Sequence, residues 1–470
     1  MSGRRRCKEP QGAPWVVLRV IGVALLLGCG TGRAADLHDQ GNPPDVEVGA
    51  CPTALEAGSV LSLAFAVDLA LCNNAEVRIA WAGIRERAAA VGVARASYWP
   101  NLSVNASELN ERAGYPGSAV PATNTTGKTV YGSLDWRLFD FGGRSSRYHA
   151  AQALLEAATA SRDATIQQVL GAVIQAYFDA VTAKATLNDR IESESIAQQT
   201  LESARRREAH GLASGNDSLQ ATVALERATL ERNGATADEQ KALAVLVYVL
   251  GVPPGSVIIL PTSLDARATA AGQNDLAAWL RETEHHHPAI LAARAAVQAA
   301  QDEVISVRSA GGPTVDLTAN YYQNGFPDQG FASTNLRAAT VGITVTVPLF
   351  DGFLTHYNVE QARAAVKVSE EQLRQTREAT LMAVMQAYAD AQSAARNIQV
   401  SWDLLNAAQG ALESSRRRYA QGVSDIVELL NAQAAFADAR RERTSSLAQW
   451  RSARLRLLAA AGVLDRVDLR

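Results

Sequence analysis

The chain has 470 residues with a formal net charge of -3 at pH 7, and 47% of its residues are hydrophobic while only 6% are aromatic. This near-neutral balance provides no basic stripe of the kind that binds nucleic acid, so nucleic acid is excluded from the predicted partners. Much of the apolar share is alanine, which favours long, closely packed helices over a thick globular core.

Residues 1–34 have the pattern of a secretory signal peptide. Basic residues at 4–8 precede an apolar run at 15–27, and small residues lead to a predicted cleavage site after Ala34. The mature protein is therefore predicted to leave the cytoplasm. Lipid attachment at Cys29 is an alternative, because this cysteine follows a Leu-Leu-Gly sequence.

Two cysteines remain after that cleavage, Cys51 in the N-terminal arm and Cys72 in the first helical region. In an oxidising compartment two cysteines are more often joined than free, so a disulfide between them is predicted. Two buried thiols are the alternative, because sequence spacing does not fix the distance between the two Cα atoms.

Long stretches have apolar residues three and four positions apart, which is the period of an amphipathic helix. The first such helix is predicted over 61–98. Another begins after Gly142-Gly143 and continues to His210, about 67 residues or roughly 100 Å. Its counterpart is predicted over 355–420, and shorter helices over 217–250, 276–309 and 425–461. Helices of this length without internal caps imply coiled-coil packing.

Between the helices the period drops to two, as in a strand with two different faces. The clearest example has a predicted lipid-facing row that alternates with Thr and Gly, namely Val341, Ile343, Val345 and Val347. Similar alternation is present over 102–107, 130–138 and 315–321. Four strands of about ten residues, each apolar on one face, match the strands of membrane barrels.

Four strands are too few to close a barrel, and an open sheet would leave unpaired backbone groups in lipid. Several chains must therefore combine their strands, and three chains would provide twelve. The predicted assembly is a homotrimer.

The chain contains an internal repeat at an offset of 211 residues. Leu138-Phe139-Asp140 returns as Leu349-Phe350-Asp351, and the arginine triplet 205–207 returns at 416–418. Two copies of one unit predict one framework with these boundaries: signal peptide 1–34, N-terminal arm 35–60, first helix-strand-strand-helix repeat 61–253, linker 254–275, second repeat 276–464 and C-terminal tail 465–470.

Motifs for catalysis or metal binding are weak. Gly127-Lys128-Thr129 ends like a phosphate loop, but position 122 is Ala122 instead of the required Gly. The run His285-His286-His287 precedes Pro288 at a helix start, where polar capping is favoured over a metal site. Because no nucleophile, base and orienting acid form a known motif, the sequence predicts no enzyme activity, no metal and no cofactor.

Together these features resemble the TolC-like outer membrane efflux proteins. The resemblance covers about 61–464 and rests on the two repeats and their junctions, Leu138-Phe139-Asp140-Phe141-Gly142-Gly143-Arg144 and Val347-Pro348-Leu349-Phe350-Asp351-Gly352. It implies a mostly α fold with membrane β. In this trimeric α/β barrel a 12-stranded outer-membrane β-barrel, with four strands per chain, continues as a long periplasmic α-helical coiled-coil tunnel.

Within the family the chain is most similar to the outer-membrane components of type I secretion systems. This implies a passive channel for an exported protein, such as a cyclolysin-type adenylate cyclase-hemolysin toxin. The implied partners are an inner-membrane ABC transporter, a periplasmic membrane-fusion adaptor, the secreted cargo and outer-membrane lipid. The same tunnel also suits a tripartite pump for small molecules, and the sequence does not separate these two functions.

Two other classes of protein remain as alternatives to a channel. A periplasmic adaptor would share long helical hairpins but would carry compact β domains. A structural coiled-coil rod would lack segments of period two.

The resemblance also implies a periplasmic gate at the far tips of the helical hairpins, 205–221 and 416–432. Gly211 and Gly422 are the predicted tip turns. The gate candidates, taken by matching position, are Asp217, Tyr419, Asp425, Glu428 and Asn431.

Two positions depart from the family pattern, because Asn431 replaces a second acid and Ser424 replaces an arginine. Three copies of Glu428 around an axis would still form an anionic ring that favours cations. The alternative is a solvated helix start, at which Asp425 and Glu428 complete a cap.

Overall fold

The computed structural model describes residues 60–114, 116–117, 119, 122–261, 275–323 and 337–464. In chain order its elements are α1 (Leu63–Asn73), α2 (Ala75–Ala96), β1 (Asn101–Ala113), β2 (Thr123–Phe139), α3 (Gly143–Ala209), α4 (Gly215–Leu250), α5 (Leu276–His286), α6 (Pro288–Ser309), β3 (Thr314–Gln323), β4 (Arg337–Thr346), α7 (Leu354–Ala420) and α8 (Ile426–Ala460). Four predicted segments lie outside the described residues: the signal peptide with Cys29, residues 35–59 of the arm with Cys51, residues 262–274 of the linker, and the tail 465–470.

The two halves of the chain repeat one order of elements: two short helices, two strands and two long helices. Helices α3 and α7 each contain 67 residues, as the uninterrupted helical period predicts. Neither contains a proline, so nothing removes a backbone donor along roughly 100 Å. No described helix combines the length and the apolar character needed to cross a membrane.

The single helix predicted over 61–98 is wrong, because the chain breaks at Asn74 into α1 and α2. Asn74 has extended backbone angles, and its side-chain oxygen accepts a hydrogen bond from the backbone N–H of Glu76 at 2.8 Å. Its amide nitrogen donates to the carbonyl of Val249 at 3.0 Å. Asn74 thus caps α2 and also ties it to the end of α4.

The helix predicted over 276–309 is also divided, at His287. Pro288 occupies the first turn of α6, and the residue before a proline is pushed out of the helical region. The Nδ1 atom of His287 accepts a hydrogen bond from the backbone N–H of Ala289 at 3.2 Å. Burial lowers the pKa of His287, which favours the neutral ring that such an acceptor requires. The polar cap predicted for this run is therefore present.

Two glycines at matching positions of the repeats allow the ends of the long hairpins to pack closely against these two breaks. Gly251 has a φ of 68°, and a Cβ placed on it would lie 2.6 Å from the carbonyl oxygen of Asn73. Gly462 has a φ of 76°, and its Cβ would lie 2.9 Å from atoms of both His287 and Pro288. Both positions therefore require a residue without a side chain.

The main hydrophobic core lies where helices from both repeats meet. Most of its buried members come from α1, α3, α4 and α8, and Val173 and Ile174 on α3 are fully buried. The Tyr177 hydroxyl donates to the carbonyl of Leu61 at 3.0 Å and so anchors the chain before α1.

Cys72 on α1 is disulfide-bonded, and its partner lies outside the described residues. The pairing with Cys51 stays a prediction.

The four strands form one antiparallel sheet in the order β1-β2-β3-β4. Its register aligns the apolar faces of all four strands, since Leu102 pairs with Leu134, Leu134 with Ala319, and Ala319 with Val341. Ile343 and Val345 share this face with Val341, and all three are exposed. Val347 lies outside the strand, because β4 ends at Thr346.

The opposite face of the sheet is polar. Ser103 and Ser133 share a hydrogen bond of 2.7 Å across β1 and β2. Arg137 and Asp316 form an ion pair of 2.8 Å across β2 and β3. The alternation predicted over 130–138 is interrupted by a bulge between Arg137 and Phe139, and Phe139 pairs with Val315. The extra residue of the bulge shifts the alternation by one position.

Both repeats turn from strand to helix through two successive residues with positive φ. They are Phe141 (51°) and Gly142 (89°) in the first repeat, and Gly352 (67°) and Phe353 (67°) in the second. A left-handed conformation costs a residue with a side chain roughly 1–2 kcal/mol. Each junction therefore holds one strained phenylalanine.

Aspartates compensate this strain by capping the long helices. Asp140 accepts from the backbone N–H of Arg144 at 2.9 Å, and Asp351 accepts from that of Thr355 at 2.8 Å. The Arg144 guanidinium also donates to the carbonyls of Arg137 and Leu138, at 2.6 and 3.1 Å. It thereby satisfies backbone groups that the end of β2 leaves open.

The surroundings of Gly251 and Gly352, which both have positive φ, predict different losses of stability when alanine replaces them. Gly251→Ala adds a clash with backbone atoms, whereas Gly352→Ala has nothing within 4 Å of the new Cβ and adds conformational strain alone. Gly251→Ala should therefore lower the free energy of unfolding by about 1–3 kcal/mol more than Gly352→Ala. Urea unfolding of the purified variants, followed by far-UV circular dichroism, measures both losses. Equal losses would contradict the close contact at Gly251.

Candidate functional site

The tips of the two long hairpins have the same turn geometry. Gly211 and Gly422 have φ values of 69° and 73°, and the residue after each glycine donates a backbone hydrogen bond back into the preceding helix. Ser214 caps α4 by accepting from Asn216 at 3.1 Å, and Asp425 caps α8 by accepting from Glu428 at 2.9 Å. Glycine is suited to these turns because it adopts positive φ without strain.

A small hydrophobic cluster holds the two tips together. Tyr419, only 6% exposed, lies in this cluster between the hairpins. The other buried members are Leu201, Ala204, Ala221, Leu412, Ile426 and Leu429. The tips are therefore packed against each other by a second, local core.

Arg207 links the first hairpin to the second. Its Nη1 atom donates to the backbone carbonyls of Tyr419 and Ala420, at 2.8 and 3.4 Å. Its guanidinium carbon also lies 4.8 Å from the centre of the Tyr419 ring. The cation thus covers the negative end of the helix α7 dipole and one face of an aromatic ring.

Glu428 is held within its own hairpin. Its Oε1 atom lies 3.0 Å from Nη1 of Arg418 and accepts a longer hydrogen bond, 3.4 Å, from Ser415. Its backbone N–H donates to the Asp425 cap. The charge of Arg418 offsets part of the charge that a ring of Glu428 residues would have. Because both side chains are more than a third exposed, the pair adds no more than about 1 kcal/mol.

The Tyr419 hydroxyl is buried and has no hydrogen-bond partner among the described residues. Burial raises the pKa of Tyr419, the Arg207 charge opposes this shift, and the Asp217 charge adds to it. Asp217 therefore lies within electrostatic range, in the first turn of α4, but does not bond to the hydroxyl in the described structure.

Three more unpartnered polar atoms in the described residues are buried at the tips: Nε of Arg207, Oε1 of Gln220 and Oγ of Ser424. A buried polar atom without a partner costs about 1–3 kcal/mol. Four of the eight such atoms in the described residues, the Tyr419 hydroxyl included, therefore lie at the hairpin tips.

Asn431 lies on a groove between α3, α4 and α8, with a volume of about 750 Å³. Its walls combine apolar residues such as Leu219, Val223 and Phe436 with polar ones. Leu412, a member of the Tyr419 cluster, also lines this groove, so the groove borders that cluster.

Ion pairs at the wall of this groove also link the two hairpins. Arg440 on α8 contacts Asp189 and Glu192 on α3, at 2.6 and 2.5 Å. Burial raises the pKa of Asp189, and the charge of Arg440 opposes that shift. This pairing joins the first and second repeats at some distance from the tips.

The sequence marked 205–207 and 416–418 only as evidence of the repeat and missed the roles of Arg207 and Arg418. A basic residue in the last turn of a predicted helix, shortly before a glycine, was the available signal. The carbonyl partners of Arg207 have no sequence signature, because every residue has a carbonyl.

The comparisons with known proteins agree with this architecture. The model of the family "Outer membrane efflux protein" matches residues 66–252 and 279–463. Protein CyaE of Bordetella pertussis is 38% identical, with 98% of this chain and 97% of the relative covered. The alkaline protease secretion protein AprF of Pseudomonas aeruginosa is 27% identical, with coverages of 72% and 70%.

Solved structures give the same result for the fold. The outer-membrane channel OprN superposes with a TM-score of 0.75 at 20% identity, covering 85% of this chain and 89% of that one. VceC of Vibrio cholerae superposes with a TM-score of 0.73 at 22% identity, with coverages of 85% and 96%.

These matches confirm the resemblance drawn from the sequence and exclude the adaptor and rod alternatives. The relatives are channel proteins of the outer membrane, a class of proteins that are not enzymes. The chain belongs to the outer membrane efflux protein family: it is a TolC-like efflux or secretion channel of the outer membrane whose helices extend into the periplasm.

Proposed function

We propose that three copies of this chain form the outer-membrane channel-tunnel of a type I secretion system. The channel passively conducts an exported protein from an inner-membrane ABC transporter and a periplasmic adaptor to the exterior. The observation that carries this proposal is the 38% identity to CyaE along almost the whole of both chains. Relatives named for protease secretion, AprF and PrtF, support a protein cargo. A toxin of the cyclolysin type is the cargo that the CyaE similarity favours.

The sheet supports assembly as a trimer. Strands β1 and β4 are at its two edges, and each is paired on one side only within the chain. An unpaired edge in lipid would leave several backbone groups without hydrogen bonds, each at a cost of several kcal/mol. Joining β4 of one copy to β1 of the next pairs every edge, and three copies give a barrel of twelve strands.

The helices support a tunnel that continues from this barrel. Helices α3 and α7 each start at a strand end through the capped junctions at Asp140 and Asp351. In this proposal the tips are the inner end of the tunnel, and Tyr419, Asp217 and Glu428 belong to its closed gate. The Arg207 clamp is the contact that keeps one hairpin beside the other.

Small-molecule efflux is a second candidate. The outer membrane efflux protein BepC of Brucella suis is 27% identical, with 77% of this chain and 76% of BepC covered. The same tunnel serves both functions, since the outer-membrane component supplies a passage and the inner-membrane partner selects the cargo.

Complementation distinguishes the two candidates. The chain is expressed in a strain without its own channel of this family, together with either a type I transporter–adaptor pair and its protein cargo or a drug pump and its adaptor. If the chain is a secretion channel, cargo should appear in the medium and the drug resistance of the strain should not increase. Drug resistance without secreted cargo would contradict the proposal and favour efflux.

The two faces of β4 predict opposite responses to a new charge. Ile343 lies on the apolar face, and its neighbour Thr344 lies on the polar face opposite Asp316. Ile343→Arg should impair assembly, because an arginine at mid-membrane depth costs about 2–4 kcal/mol on the lipid side. Thr344→Arg should assemble normally and change single-channel conductance. Equal amounts of assembled protein from both variants in outer-membrane fractions would contradict the assigned faces.

Removal of the Arg207 side chain should loosen the closed gate. Arg207→Ala removes the hydrogen bonds to two carbonyls and the contact with the Tyr419 ring, together worth about 1–3 kcal/mol. The open fraction in planar-bilayer recordings should therefore rise several-fold. The exposed neighbour Arg206 is the control, and Arg206→Ala should leave the recordings unchanged. The same open fraction in both variants would remove Arg207 from the gate.

A further inference from the structure

Two tyrosines form a pair across the two central strands of the sheet, near the end of β3. Tyr131 on β2 and Tyr322 on β3 are direct partners in the register. Their ring centres are 5.5 Å apart, with the planes tilted by 32°. Because side chains alternate along a strand, this pair lies on the same face as Ser133 and Asn320, the polar face.

This position is unusual within the described strands. The other aromatic residues of these strands, Trp136, Phe139 and Tyr321, lie on the apolar face. Next to the pair in the same row of the sheet are Asn105 and Ala338, whose side chains are short. Both tyrosine side chains are half-buried, and their rings are the largest side chains in this row of the sheet.

We propose that the Tyr131–Tyr322 pair is a binding site for an extended polypeptide inside the channel. This inference rests on the proposed function, in which the polar face lines the lumen and cargo passes through it. Three copies of the chain then place six tyrosines at one level of the barrel.

The chemistry of tyrosine suits a moving, unfolded chain. A tyrosine ring stacks on peptide groups and apolar side chains of many sequences, and its hydroxyl donates to or accepts from a peptide bond. The ring loses little entropy when it binds, because it has only two side-chain torsions. A channel conducts only if its cargo binds well enough to enter and weakly enough to leave. Several weak contacts at one level of the barrel meet this condition.

A cross-strand aromatic pair also stabilises a sheet by about 0.2–1 kcal/mol, so the test must separate binding from stability. Tyr131→Thr combined with Tyr322→Thr removes both rings and keeps a residue that favours strands and already occurs on this face, as at Thr318. Tyr321→Thr is the matched control on the opposite face. Thermal stability of the purified channels shows that each variant is folded.

The experiment measures current blockade in planar bilayers. An unfolded polypeptide rich in Gly, Ser and Leu is added on the barrel side, where entry does not require the hairpin tips to open. The double variant should shorten the mean blockade about three- to tenfold, the effect of losing an aromatic contact. Tyr131→Phe combined with Tyr322→Phe keeps the rings and should retain most of the wild-type duration.

Unchanged blockades in the double threonine variant would overturn the inference, as would an equal shortening by Tyr321→Thr. In both cases the wild-type blockades remain, so the proposed passage of polypeptide is unaffected. If the polypeptide blocks none of the channels, wild type included, the proposed function itself is contradicted, and this inference with it.

Discussion

The structure depends on one constraint: the backbone groups along the edges of a sheet must be paired when that sheet lies in lipid. In this chain β1 and β4 each have an unpaired edge, and the apolar residues of all four strands share one face. A single copy therefore cannot be stable in a membrane by itself. In the proposed channel, copies of the chain therefore pair their edge strands with one another, and the polar face of the sheet lines the lumen. Helices α3 and α7 then continue from the strand ends.

The junctions show how one geometry is obtained from two different sequences. Both repeats need two successive left-handed residues between strand and helix, but the glycine comes second in the first repeat and first in the second. In each case one phenylalanine is strained, and an aspartate before the glycine caps the following helix. Asp140 lies two positions before Gly142, and Asp351 lies one position before Gly352. The strain is tolerated because the cap and the long helix together fix the backbone on both sides.

Much of this fold was predictable from the sequence. Helices α3 and α7 follow from an uninterrupted period, and the strand faces follow from alternation. The break at Asn74 was missed because apolar periodicity continues across it, while its capping side chain acts locally. The polar cap before Pro288 was predicted, but the helix was still predicted as continuous over 276–309. The bulge after Arg137 was not predictable, since it depends on the register with β3, which belongs to the other repeat.

The candidate site was predictable only in part. Tyr419 and Glu428 were predicted as gate residues through the family resemblance, and that role stays a prediction. The cap at Asp425 was predicted from its place before a helix and is confirmed. Arg207 was missed because its partners are carbonyls on another hairpin, and no sequence pattern marks such a pair. Charge alone was also misleading, since Arg418 offsets part of the charge of Glu428.

The central claim is that edge pairing between copies completes the channel. Native mass spectrometry of the detergent-purified protein tests it most directly, combined with circular dichroism and bilayer recordings on the same sample. The account predicts a single species with the mass of three mature chains that retains its β content and conducts. A stable monomer with the same β content and the same conductance would contradict it.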